Sequence, residues 1–166
     1  QQVLQHLLGM IDLSFMHEIQ LHALNEMIRL TESQAGFLSL VDQDAGLIRL
    51  RLMSAVGEPP QPVFTTDGAD LNQDGYWTAC LASGLPVIRN DAPHSSLPGY
   101  SQYGLTKRDL TVPILEDNKI VAIIGVGNRE AEYEPFDAEL VHEMALGLWR
   151  VVARKRLLDT LPDDIK

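Results

Sequence analysis

The sequence predicts an α+β fold in which an antiparallel sheet carries helices on one face. Apolar residues recur at spacings of three and four near both ends of the chain, which is helical periodicity. Between these ends they alternate with a period of two, and turn-forming residues separate the alternating segments in pairs, as in β-hairpins. With 45% apolar residues over 166 positions, the chain can bury a sizeable core.

The first half of the chain predicts a helix followed by a hairpin. Helical spacing runs from about residue 3 to residue 30, as one long helix or as two helices that meet near residues 12–17. Strands at 36–41 and 47–54 then flank a turn, and we expect this hairpin to have one solvent-exposed face. Residues 57–75 are rich in Gly and Pro and predict a loop.

The second half begins with short elements. A short helix is expected at 75–83, with Asp74 as its N-cap and Gly84 just past its end, and a short strand follows at 86–88. Residues 90–104 contain two prolines and two tyrosines and predict a second irregular loop.

A second hairpin and a final helix complete the chain. Strands are expected at 109–115 and 119–127, and the run 120–124 is apolar on both faces, which predicts a central strand. Pro113 has no amide hydrogen, so its strand should pair poorly on one side. The last helix, from about 136 to 158, has its acids first and its bases last, an order that suits the helix dipole.

Composition excludes several classes of function. The net charge of −10 argues against nucleic acid and against an anionic membrane surface. A single Cys excludes an internal disulfide and a cysteine zinc cluster. No apolar run is long enough for membrane insertion and no basic signal-peptide region begins the chain, so we expect a cytoplasmic protein. The first residue is not Met, which favours a piece of a longer protein.

Three stretches carry a family pattern: WTACLASGLPVIRND at 77–91, LTVPI at 110–114 and IVAIIGVGNR at 120–129. Together they resemble a GAF domain of the kind found in bacterial sensor histidine kinases and diguanylate cyclase-type signalling proteins. The resemblance implies about six mainly antiparallel strands, with N- and C-terminal helices on one face and a ligand pocket, short helix and loops on the other. It covers residues 20–152, so we expect linker helices at 1–19 and at 153–166, the second leading to an output module.

The same resemblance implies a pocket for a small organic ligand. Aromatic rings with a few placed polar groups suit such a ligand. Asp91, directly after a strand, is the best single polar contact. The side chains expected to converge in the pocket are Tyr76, Trp77, Asp91, Tyr100, Tyr103 and Thr111.

A second pattern lies between the last strand and the last helix. Some GAF domains that bind cyclic nucleotides carry Asn-Lys, later a Phe, and then Asp-Glu. Here Asn128-Arg129 is followed by Tyr133 and Asp137, so the Lys and Phe are replaced and the Glu is lost. Arg129 at a strand end can reach Asp137 at a helix start, and we therefore interpret Asn128, Arg129 and Asp137 as a structural latch. The pattern does not establish cyclic-nucleotide binding.

No catalytic or metal-binding constellation stands out. Cys80 shares a helical face with Trp77 and Leu81, which favours a small buried side chain over a nucleophile or a bilin anchor. Related reductases use more than one Cys, so enzymatic activity is disfavoured. Some GAF domains hold haem through a loop histidine, and His94 has that position, but a lone His is more often an ordinary loop residue. The cofactor is left open, with haem and bilin disfavoured.

The terminal helices predict association. Val141, Met144, Leu148, Val151 and Leu158 form a heptad-like stripe that continues past the family pattern. We expect a parallel homodimer through the N- and C-terminal helices, which would pass the state of the pocket to a covalently linked output module. The parent protein would be a histidine kinase of a two-component system or a cyclic-di-nucleotide enzyme. The alternative function is a ligand-free dimerisation or structural GAF module.

Overall fold

The computed structural model describes residues 2–57, 61–71, 78–91, 107–162 and 164. Within these residues an antiparallel sheet of six strands has the order β3-β2-β1-β6-β5-β4. The predicted α+β class is confirmed. The elements are α1 (Gln2–Leu30), β1 (Ala35–Asp42), β2 (Leu47–Ala55), β3 (Gln61–Asp70), α2 (Thr78–Ser83), β4 (Val87–Arg89), β5 (Asp109–Glu116), β6 (Lys119–Gly127) and α3 (Pro135–Asp159).

The main core lies between one face of the sheet and the two long helices. β6 is central, as its apolar run predicts, and pairs with β1 on one side and β5 on the other. Burying each large side chain here contributes about 1.5–3 kcal/mol, so this layer dominates the stability. Its buried members include Leu24, Met27, Leu38, Ile114, Ile124, Val141 and Leu148.

The helices α1 and α3 run antiparallel. Thr31, just after α1, accepts a hydrogen bond from Arg129, just before α3. Further back along α1, Gln20 shares a small gap with Ala145 and Val152 of α3. The part of α1 around Gln20 therefore lies beside the second half of α3. No helix within the described ranges is long and apolar enough to cross a membrane.

The loop predicted at residues 57–75 is wrong, because residues 61–70 form β3 against β2. The run from Val63 to Thr66 consists of β-branched and aromatic residues, which fit a strand. Pro62 is tolerated because an edge strand pairs on one side only. The register between β2 and β3 shifts between Ile48 and Leu50, which marks a bulge or irregularity in this pairing.

The exposed face predicted for the first hairpin is also wrong for β1. Phe37 and Val41, which face away from the long helices, are buried by a second cluster on the other side of the sheet. A register shift at Leu40/Val41 places Ile48 in that cluster, whereas Leu50 and Leu52 belong to the main core. The alternation in the sequence predicts that Ile48, Leu50 and Leu52 share one face of the sheet. The register shift places Ile48 on the opposite face from the other two.

Gly36 and Gly125 allow neighbouring groups to come close to the backbone of the sheet. A Cβ on Gly36 would lie 2.8 Å from the Gly125 carbonyl oxygen and 3.0 Å from Ile28 Cγ1, so α1 comes close to the sheet here. A Cβ on Gly125 would overlap the ring of Phe37, which crosses over β6. The ring of Phe37, from the neighbouring strand β1, therefore fills the space over Gly125.

The ends of several elements follow local rules. α1 is one continuous helix rather than two. Gly84 has φ 66°, and its amide donates to the Cys80 carbonyl at 2.9 Å, which closes α2 as expected. Asp117 and Asn118 have φ values of 53° and 65°, which fit the tight turn between β5 and β6. β4 pairs only with Asp109–Thr111 and stops short of Pro113.

Candidate functional site

The sheet face opposite α1 and α3 carries α2, and we call it the α2 face. Cys80 of α2 lies in the apolar cluster on this face, and α2 packs next to β5. Polar side chains within such an apolar layer are candidates for ligand contact. The buried apolar residues of the cluster are Ala35, Phe37, Val41, Ile48, Leu71, Cys80, Ile120 and Ile123.

Thr111 is a buried polar group on the α2 face. It lies between Val87 of β4 and Gly125 of β6 in the register, and it is fully buried. Within the described part of the chain its hydroxyl has no hydrogen-bond partner, and the same holds for the buried hydroxyl of Ser39 on β1. A buried hydroxyl left without a partner costs about 1–3 kcal/mol. A ligand that supplied the partner of Thr111 would recover part of this cost.

A charged pair lies on the same face, two residues before Thr111. Asp109 is fully buried, and the guanidinium Nη1 of Arg89 is 4.0 Å from its Oδ1. The register pairs these two residues across β4 and β5. The α2 face therefore combines apolar surface, a hydroxyl and a buried charge pair at the edge of the sheet.

Asp91 is exposed and lies four residues beyond Val87, the register partner of Thr111. The described structure therefore does not bring Asp91 and Thr111 together. The other residues expected in the pocket, Tyr76, Trp77, Tyr100 and Tyr103, lie outside the described residues. Their convergence stays a prediction.

Cys80 is fully buried in the apolar cluster of the α2 face. Burial raises the pKa of its thiol to about 12, although the nearby Arg89 charge opposes the shift. Because the thiolate is the nucleophile, the thiol is unreactive near neutral pH. Its position matches the small buried side chain expected from the sequence.

Arg129 and Asp137 form a partly buried junction where β6 leads into α3. Arg129 Nη1 donates to Asp137 Oδ1 at 2.9 Å, and Nη2 donates to Asp137 Oδ2 at 2.7 Å. The remaining donors of Arg129 reach the carbonyls of Thr31 at 3.0 Å, of Ala131 at 3.2 Å and of Glu132. The guanidinium carbon lies 4.4 Å from the ring centroid of Tyr133. The structure thus brings the two charged residues of the predicted latch together.

Asp137 also begins α3. Its Oδ2 accepts the Glu134 amide at 2.8 Å, and Pro135 is the first helical residue. Burial alone would raise the pKa of Asp137, but the hydrogen bonds from Arg129 and from the Glu134 amide hold this pKa below its ordinary value. The carboxylate form is therefore favoured.

Asn128, the third residue of the predicted latch, lies in the turn that follows β6. None of its described contacts is with Asp137. It has φ 67°, a conformation that Asn tolerates. Its side-chain oxygen accepts the Lys107 amide at 3.0 Å, and its own amide donates to the Arg108 carbonyl at 2.8 Å. It holds the start of β5 beside the end of β6.

Sequence reasoning missed the polar partners around Tyr133. Ser33 and Asn90 both hydrogen-bond to this residue from distant parts of the chain. Tyr133 belongs to the sequence pattern, but nothing local indicates its partners.

Within the described residues, no group of three or more His, Cys, Asp or Glu side chains is placed to hold a metal ion. His94, the position considered for haem, lies outside those residues.

Comparison with known proteins identifies the family. The GAF domain profile matches residues 14–153, and the chain belongs to the GAF domain family. A curated relative, the methyl sulfide methyltransferase-associated sensor of Methanosarcina acetivorans, is 29% identical over 153 residues. This match covers 87% of the chain but only 15% of the relative, so the chain corresponds to a small part of that protein.

Solved structures share the fold. The GAF domain/HD domain protein of Geobacter sulfurreducens has a TM-score of 0.60 at 12% identity, covering 86% of this chain and 94% of that one. The GAF domain of a sensor histidine kinase from Bacillus halodurans has a TM-score of 0.57 at 16% identity, covering 84% and 97%. Free methionine-R-sulfoxide reductase from Neisseria meningitidis has a TM-score of 0.54 at 13% identity, covering 78% and 74%.

Proposed function

We propose that this GAF domain is the sensory part of a longer signalling protein and binds a small organic molecule on the α2 face. The observation that carries the proposal is the Thr111 hydroxyl, which is buried among apolar groups without a partner in the described chain. A bound molecule with one hydrogen-bonding group and apolar surface would fit this environment. The sensor name of the curated relative supports the role.

Signal output would use the terminal helices. α1 and α3 lie side by side at Gln20 and Val152, so residues 1–19 and 153–166, which continue from this contact, would act as linker helices to neighbouring modules. A ligand can shift the packing of these helices only by binding one arrangement better than another. A histidine kinase or a cyclic-di-nucleotide enzyme is the output we propose, in a cytoplasmic homodimer. We assign no chemical step to this domain, and the protonated state of Cys80 agrees with that assignment.

A thermal-shift screen against metabolites and nucleotides tests ligand binding. A compound present at 100 times its Kd should stabilise the domain by about 2.7 kcal/mol. Thr111→Val, which replaces the hydroxyl by a methyl group of similar size, should weaken binding of any hit about fivefold or more. It should not lower the stability of the free domain, because the hydroxyl it removes is unpaired.

Ser39→Ala is the matched control, since it also removes an unpaired buried hydroxyl from the α2 face but on β1, with β6 between it and β5. Hits whose affinity is lowered by Thr111→Val and not by Ser39→Ala support the site. A screen without hits would overturn the sensory proposal in favour of a ligand-free dimerisation module. Hits whose affinity is unchanged by Thr111→Val would show that the ligand binds at a different site.

A further inference from the structure

We propose that Asn90 is a positioning residue that couples the edge strand β4 to both terminal helices through Tyr133. Asn90 directly follows β4, and Tyr133 lies in the segment between β6 and α3. The two residues are 43 positions apart in the chain and meet in a partly buried contact.

Asn90 holds the main chain of Tyr133 at two points. Its side-chain nitrogen donates to the Tyr133 carbonyl at 2.9 Å, and its side-chain oxygen accepts the Tyr133 amide at 2.7 Å. This is the pairing that a neighbouring strand would make, but it is provided by one side chain. A shift of the end of β4 must therefore move the backbone of Tyr133 or break both bonds.

From Tyr133 one branch leads to the end of α1. The Tyr133 hydroxyl shares a hydrogen bond of 2.5 Å with the Ser33 hydroxyl, which shares another of 2.7 Å with Thr31. The Thr31 hydroxyl donates to the Met27 carbonyl in the last turn of α1 at 2.7 Å. Tyr133 is only 2% exposed, so water competes little for these bonds.

The other branch leads to the start of α3. The Arg129 guanidinium lies over the Tyr133 ring and binds Asp137 in the first turn of α3. Arg129 also donates to the Thr31 carbonyl, so the two branches meet. Tyr133 is thus the common contact of β4 and both long helices.

This coupling would serve the sensory role proposed above, because β4 borders the candidate site where Val87 pairs with Thr111. The inference rests on that role for its biological meaning. Its test needs no ligand, so the coupling and the sensory role can fail separately.

Hydrogen exchange of the folded 166-residue chain tests the coupling. Asn90→Ala should speed exchange about tenfold at the Thr31 and Ser33 amides, which close the end of α1, and at the Asp137 amide in α3. The amides of Leu38 and Leu52, in the middle of the sheet, report any global loss of stability. Asn25→Ala is the matched control, since it removes a hydrogen bond from α1 to Ser54 directly and should not change exchange at Asp137.

The double variant Asn90→Ala/Tyr133→Phe separates the branches. Without the Tyr133 hydroxyl, Asn90→Ala should alter exchange at Ser33 less than about twofold relative to Tyr133→Phe alone, whereas Thr31 keeps a connection through Arg129. The effect of Asn90→Ala at Asp137 should persist. Asn90→Asp keeps the oxygen that accepts the Tyr133 amide but sets a carboxylate oxygen against the Tyr133 carbonyl, so it should speed exchange at the same amides if Asn90→Ala folds poorly. Equal acceleration at every amide in both Asn90 variants, or an effect at the Ser33 amide that survives Tyr133→Phe, would overturn the proposal.

Discussion

At the scale of single residues, the hydrogen bonds of Arg129 explain why an arginine is needed at the junction with Asp137. A guanidinium has five N–H donors in a fixed plane, and Arg129 directs them to two carboxylate oxygens and three carbonyls. A lysine has three donors on a point charge and could not bind Asp137 and the three carbonyls together. The family pattern with Lys at this position therefore cannot form the same junction.

The charge of Asp137 should make part of the stability depend on pH. Its pKa is lower in the folded chain than in the unfolded chain, so its contribution is complete above the unfolded value of about 4. The contribution is lost as the pH falls through the folded value. The unfolding free energies of wild type and Asp137→Asn, measured by urea titration from pH 7 to pH 3, should therefore converge below about pH 4. Glu139→Gln, an exposed acid in the same helix, is the control, and a constant difference for Asp137→Asn would contradict this expectation.

Burial of Cys80 should protect its thiol from reagents. With a pKa of about 12, the thiolate fraction at pH 8 is about a thousandfold below that of a free cysteine. Reaction with a disulfide reagent at pH 8 should be slow in the folded chain and should accelerate by at least that factor in denaturant. Rapid labelling of the native chain would show that the α2 face opens to solvent.

At the scale of elements, the tight contact between β1 and β6 depends on Gly125. Phe37 occupies the space where a side chain of residue 125 would lie, and β6 is held by strands on both sides. The ring must therefore move if residue 125 gains a side chain. This contact places the ring of Phe37 over Gly125, which is the register partner of Thr111.

Gly125→Ala should lower the unfolding free energy by about 1–3 kcal/mol, because overpacking a close-packed layer forces side chains out of their preferred positions. Gly147→Ala is the matched control. A Cβ there meets no neighbour within 4 Å, and alanine favours a helix interior, so the stability should rise by about 0.5–1 kcal/mol. Denaturant titration of both variants, and of Gly125→Ala with Phe37→Leu for rescue, checks the argument. Equal effects of the two single substitutions would show that space at Gly125 is not limiting.

At the scale of the whole molecule, apolar side chains on the terminal helices remain exposed. Val151 and Leu158 of the predicted stripe are 47% and 41% exposed, and Phe15 of α1 is 59% exposed. Val141 and Leu148 of the same stripe are buried in the core. One part of the stripe thus packs on the sheet, and the other part is exposed.

Replacing this exposed part should weaken the proposed homodimer. Val151→Glu/Leu158→Glu should shift sedimentation equilibrium towards monomer at least tenfold, since each change places a charge in an apolar contact. Leu85→Glu, at a more exposed apolar residue just after α2, should leave association unchanged. A wild-type chain that stays monomeric at tens of micromolar would contradict the dimer.

The sequence predicts what depends on near neighbours. The hairpin of β5 and β6 and the Arg129–Asp137 pair follow from residues close in the chain. The sequence does not predict β3, because Pro62 and Gly68 are typical of loops. The strand forms because it pairs with β2. The bond between Ser33 and Tyr133 joins residues one hundred positions apart, and no local pattern encodes it. Of the two expected pocket residues that the structure describes, Thr111 lies on the α2 face and Asp91 is exposed beyond β4.

The edges of the sheet have a consequence for solubility. Open strand edges can recruit strands from other chains and lead to aggregation. β4 covers only Asp109–Thr111 of β5, and just past this stretch Pro113 offers no amide hydrogen. At the opposite edge, β3 contains Pro62. Proline at both borders should therefore discourage strands of other chains from pairing with the edges of this sheet.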